Sequence, residues 1–119
     1  KVELRIINKK LYLGHNLDGI LWKINEKFLF DRYDKLFIHC KNIDALMYCV
    51  DGPLMFFYHF LEKHTPISNT NLIWTYDLDE VTKKSIIPLD GRDAKRKKKF
   101  KYKQAYGICS NSIGLYRSI

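Results

Sequence analysis

Along the first forty positions, apolar and polar residues alternate with the two-residue period of a half-buried strand. Val2, Leu4 and Ile6 alternate with Glu3 and Arg5, the pattern pauses at Asn8-Lys9-Lys10, and Leu11 to Leu13 resumes it as the second arm of a short hairpin. Gly14 to Gly19 (GHNLDG) reads as a loop from its Gly, Asn and Asp content. Ile20 to Ile24, Phe28 to Phe30 and Leu36 to Cys40 follow as further short strands, separated by Asn25-Glu26-Lys27 and by Asp31 to Asp34. The expectation for this part of the chain is a meander of half-buried strands.

From Ile43 the period lengthens. Asn42 is placed to cap a first helical turn through Ile43 to Val50, after which Asp51-Gly52-Pro53 interrupts. Asp51 then reads as the N-cap of the principal helix, with Pro53 tolerated in its first turn. On a helical wheel Leu54, Phe57, Tyr58 and Leu61 form one apolar stripe flanked by Phe56 and Phe60, while His59, Glu62 and Lys63 fall opposite. Thr65-Pro66 ends the element. A hairpin turning at Asp51-Gly52 is the alternative, because MFFYHF is also rich in strand formers. The stripe favours the helix.

After a polar loop, Ser68 to Asn71, the segment Leu72 to Tyr76 predicts a strand with Leu72, Trp74 and Tyr76 on one face. Asp77 to Lys84 reads as a surface turn or short helix, Ile86-Ile87 is apolar, and Pro88 to Gly91 (PLDG) is a turn. From Lys99 to Ile108 the alternation returns. It would set Lys97, Lys99, Lys101 and Lys103 on one face of a strand, and Phe100, Tyr102, Tyr106 and Ile108 on the other. Ser110-Asn111-Ser112 would turn the chain back into Ile113 to Ile119. The fold class expected is α+β: a small antiparallel or mixed sheet with one principal helix packed on one face.

Composition narrows the setting. The chain has 119 residues, 46% of them hydrophobic, which is enough for one domain with its own core and too apolar for disorder. It begins at Lys1, so the expectation is a single domain spanning 1–119 and excised from a larger protein, with the parent's other domains as partners. No apolar run reaches the eighteen or so residues of a membrane span. Three cysteines, Cys40, Cys49 and Cys109, cannot all pair within one chain, and a domain of this size needs no disulfide staples. That points to a reducing, intracellular compartment, nuclear or cytoplasmic. Lys outnumbers Arg 16 to 5 beside 13 Ile and only three Ala, a bias that suits an AT-rich genome such as those of many viruses.

Charge changes the picture most. Arg92 to Lys103, RDAKRKKKFKYK, holds eight basic residues against the single acid Asp93, a net of +7 out of +8 for the whole chain. The protein is a nearly neutral domain with one concentrated cationic segment, and such a segment attracts polyanions by Coulomb forces and counterion release. Arg92, Lys95, Arg96, Lys97, Lys98, Lys99, Lys101 and Lys103 are the expected phosphate contacts. Tyr102 and Tyr106, beside the run, are the aromatics nominated to stack on bases. The partner expected is nucleic acid, RNA in preference to DNA. Two other readings use the same charge: a lysine-rich edge or targeting segment, and a domain binding protein or anionic membrane.

Catalytic chemistry has thinner support. Asp93-Ala94-Lys95 with Asp77 or Asp79 upstream resembles the PD-(D/E)xK pattern of Mg²⁺ nucleases, two carboxylates holding the ion while a lysine stabilises developing charge. It departs from that pattern in that Asp93 follows a turn instead of an apolar strand, and neither upstream Asp follows a Pro. Cys40, Cys49, His59 and His64 do not have zinc-finger spacing, and on a helix His59 and His64 would lie about 140° apart. No nucleophile elbow, Walker A loop or dinucleotide fingerprint is present in the sequence. The sequence therefore favours a binding module without metal or cofactor over an enzyme.

Overall fold

The computed structural model describes residues 1–89 and 104–110. These form an α+β structure whose described residues fall into two compact units, 1–60 with 67–70, and 61–66 with the chain from 71 onward. Each unit has its own mixed sheet.

The first unit starts with a hairpin. β1 (Val2–Ile7) and β2 (Lys10–Leu13) pair antiparallel, joined by Asn8 and Lys9, both with positive φ (51° and 63°). Positive φ at both central residues is the backbone of a type I′ turn, whose twist matches that of the flanking strands. β3 (Trp22–Ile24) adds to the outer edge of β2. Between them Gly14 donates its N–H to the Glu3 carbonyl at 3.0 Å, and a Cβ at this position would lie 2.7 Å from the Ile20 carbonyl oxygen. Only glycine fits that approach.

Two short helices belong to this unit, and the first replaces a strand expected from the sequence. Glu26–Phe30 is helix α1, not the strand expected over Phe28 to Phe30, because the Asn25 side chain caps it by accepting the Phe28 N–H at 3.1 Å. The principal helix is α2 (Ile43–Val50), capped by Asn42 as its position suggested. Asn42 does more than cap. Its Oδ1 accepts the Ala45 N–H at 3.0 Å and the Ile6 N–H at 3.3 Å, and its Nδ2 donates to the Ile6 carbonyl at 2.9 Å, which ties the helix start to β1. Leu54 to Lys63 is not a helix. Met55–Phe57 forms strand β5, which follows α2 directly after Asp51 ends it and Gly52-Pro53 turn the chain.

Strand order in this sheet is β3-β2-β1-β4-β5, with β4 at Phe37–Cys40. The β1–β4 and β4–β5 pairs are parallel, and α2 is the connection between β4 and β5. Burial explains the choice: Ile38, His39 and Cys40 are all buried, as a strand covered on both faces requires. Ala45 and Cys49, one helical turn apart, join Leu4, Leu11, Leu29, Ile38, Cys40, Leu54 and Phe56 in the core. Residues 67–70 return to the edge of β5, where Ser68 donates to the Phe56 carbonyl at 2.7 Å. Asn69, with φ 64°, donates to the carbonyls of Gly52 and Leu54 at 2.9 and 2.8 Å.

The second unit carries β6 (His64–Pro66), β7 (Ile73–Thr75), β8 (Ser85–Pro88) and β9 (Gly107–Cys109), in that spatial order. β6 and β7 are antiparallel, while β7–β8 and β8–β9 are parallel. The strand expected around Trp74 is present, and Trp74 and Thr75 are both fully buried, so β7 is covered on both faces. Ile87 and Leu89 form the centre of a core that Leu78, Val81, Ala105 and Ile108 pack against. No helix among the described residues is long and apolar enough to cross a membrane.

Candidate functional site

The cationic segment lies in the connection between two parallel neighbours. β8 leads out of the sheet through Leu89, whose N–H donates to the Cys109 carbonyl at 2.9 Å, and the chain returns through Tyr106, whose N–H donates to the Ser85 carbonyl at 2.9 Å. Both ends of the connection are thus held by ladder bonds to the same sheet. Arg92, Lys95, Arg96, Lys97, Lys98, Lys99, Lys101, Tyr102 and Lys103 lie outside the described residues, as do Phe100, Asp93 and the expected turn and strand after Ser110.

Tyr106 is described. It stands just before β9 and is 66% exposed, so it does not point into the core with Ile108 as the alternation implied. Strand structure begins only at Gly107, which releases the preceding residue from the face it would otherwise share with Ile108. Trp74, by contrast, is core, and Trp22 is 65% exposed on the edge strand β3.

A second constellation, which the sequence reading did not assemble, lies on the β6–β7 pair. The antiparallel register sets His64 opposite Thr75, and Asp77 lies two residues farther on. Asp77 opens a turn in which its carbonyl accepts the Glu80 N–H at 3.2 Å and its Oδ1 accepts the Asp79 N–H at 2.9 Å. The turn brings Glu80 back beside the histidine, His64 Nε2 to Glu80 Oε2 being 2.9 Å. The three ligating atoms of His64, Asp77 and Glu80 lie within 4.8 Å of one another, and this is the one such grouping of metal-ligating side chains among the described residues. Lys63 Nζ is 3.5 Å from Asp77 Oδ2. The Asp79 N–H holds the Asp77 carboxyl below its usual range against the opposing effect of burial, with a lesser contribution from the Lys63 ammonium. No sequence motif marks this cluster; a period-two reading of Lys63 to Pro66 would have been needed to pair it with β7.

The residues weighed for zinc are distributed differently. Cys40 and Cys49 are both fully buried in the core of the first unit, and no disulfide links any of the three cysteines. Contact with Cys49, and then burial, push the Cys40 thiol well above the usual thiol range, which makes it a poor nucleophile. His39 is buried with its ring stacked on Phe57, centroids 4.8 Å apart, and His59 packs edge-on at 6.3 Å. Among the described residues, Lys23, Ile24, Asn25 and Phe28 line an open depression, and none of these four is an acid or a histidine.

No protein-family model, curated protein or solved structure matches the chain.

Proposed function

We propose that the protein is a nucleic-acid-binding module, with RNA as the preferred ligand, and that the connection between β8 and β9 supplies the binding surface. The observation that carries this reading is the concentration of charge: +7 of the net +8 falls within Arg92 to Lys103. Arg92, Lys95 to Lys99, Lys101 and Lys103 contact phosphates, which positions the ligand without reading its sequence. Two features of the described residues support it. The sheet grips the connection at both ends through Leu89 and Tyr106, and the Tyr106 ring is exposed beside it, available to stack on a base. Tyr102 is the second stacking candidate.

Competition tests the choice of polyanion. A fluorescent single-stranded RNA bound to the chain is challenged with unlabelled RNA and, separately, with vesicles rich in phosphatidylserine. The reading predicts displacement by RNA at far lower phosphate concentration than by vesicles. Preferential displacement by vesicles would assign the charge to a membrane surface instead.

A further inference from the structure

We infer that His64, Asp77 and Glu80 form a binding site for a divalent transition-metal ion of the Zn²⁺ type. The site is independent of the cationic segment, since every residue it uses lies between Lys63 and Ser85.

The donor set comes first. One imidazole nitrogen and two carboxylates are a mixed N/O set, which suits Zn²⁺ better than Mg²⁺ or Ca²⁺, both of which favour oxygen alone. Three protein ligands around a tetrahedral ion leave one position for water. A tetrahedral ion with ligands at about 2.0–2.2 Å sets its donors roughly 3.3–3.6 Å apart. The three atoms here lie within 4.8 Å, so small side-chain rotations bring them to that spacing.

Orientation is the second observation, and it comes from buried residues outside the cluster. His64 Nδ1 is 3.3 Å from Thr75 Oγ1, and the Thr75 hydroxyl donates to Ser85 Oγ at 2.9 Å. Thr75 is 0% and Ser85 1% exposed. Ser85 Oγ also accepts the Thr82 N–H at 3.0 Å, and Thr82 Oγ1, 3.3 Å away, is placed to take the serine proton. With the Thr75 proton directed at Ser85, the Thr75 oxygen accepts from His64 Nδ1, and Nε2, which meets Glu80 Oε2 at 2.9 Å through a proton in the metal-free chain, gives up that proton to the solvent when the ion takes its place. Fixing the outer nitrogen in this way is how proteins orient a metal-ligating histidine. Asp77 is oriented likewise: the Asp79 N–H occupies Oδ1, leaving Oδ2 for a cation.

Lys63 is the competitor. Its ammonium, 75% exposed, pairs with that same Oδ2 at 3.5 Å, and a doubly charged ion bound by three ligands displaces it into water. This gives the site a signature that a plain surface ion-pair cluster lacks: removing Lys63 strengthens metal binding, while removing Glu80 weakens it.

The test is Zn²⁺ titration of the full 119-residue chain by calorimetry, with native mass spectrometry for stoichiometry. The expected result is one ion per chain, affinity reduced at least 10-fold in Glu80→Gln and increased several-fold in Lys63→Gln. Both positions are on exposed side chains, so both variants keep the fold, which circular dichroism verifies. Co²⁺ in place of Zn²⁺ should give d–d absorption without a thiolate charge-transfer band. Absence of stoichiometric uptake, uptake unchanged in Glu80→Gln, or a thiolate band indicating that Cys40, Cys49 or Cys109 holds the metal would each overturn the assignment.

Discussion

His39 shows how burial can dominate the chemistry of one residue. Both ring nitrogens are buried and neither meets a hydrogen-bond partner at bonding geometry, while the ring face is covered by Phe57. Burial, and after it the charge of Lys41, lower its pKa from 6.5 to about 4. The consequence for stability has a definite sign. As pH falls through 6.5 the unfolded chain takes up a proton at this residue, but the folded chain does not do so until about 4. Folding free energy is therefore undiminished above pH 6.5 and lost between there and pH 4, at up to about 1.4 kcal/mol per pH unit. His39→Phe keeps a flat ring against Phe57 and removes the titration. Denaturant midpoints at pH 7.5 and 5 should show the variant losing less stability on acidification than the parent. Equal losses would mean that His39 takes up its proton as readily in the fold as in the unfolded chain.

At the scale of elements, what could be read from the sequence depended on how local the deciding interaction is. The β1–β2 hairpin was legible because alternation and the Asn8-Lys9 turn lie within a dozen residues. So was the cap at Asn42, which acts on its own helix. The segment from Leu54 was not. Its three-and-four spacing of Leu54, Phe57 and Leu61 imitates a helical stripe, yet Met55 to Phe57 lies in β5, paired in parallel with β4 from earlier in the chain. A parallel pairing is a non-local contact that leaves no periodic mark on a three-residue strand. The same holds for His64, whose partners Thr75 and Asp77 come from the next strand and the turn beyond it. Burial separates the two accounts of this segment: Leu54 is 1% and Phe57 2% exposed, but Leu61 is 81% exposed. Phe57→Ala should cost roughly 3–5 kcal/mol, the range for a core phenylalanine. Leu61→Ala should change stability by less than about 0.5 kcal/mol, as exposed substitutions do. Chemical denaturation of both variants checks this, and a large loss at Leu61 would restore the helical stripe.

For the whole molecule, the sequence sets one concentrated cationic segment apart from a nearly neutral remainder. The described residues contain two units with their own sheets and buried residues, and their charges are close to balanced outside Arg92 to Lys103. We propose that this one segment neutralises phosphates. The most direct test is the salt dependence of RNA binding by the parent and by a variant with Lys99, Lys101 and Lys103 all changed to Gln. For single strands, log affinity falls with log salt at a slope of about −0.7 per phosphate neutralised, so loss of three contacts should weaken binding and flatten the slope by roughly 2. The melting temperature should barely move, because the proposal assigns these lysines to phosphate and not to the core. A triple variant that binds RNA as tightly as the parent, with the same salt slope, would contradict the account and leave the segment as a targeting signal or a solvated edge.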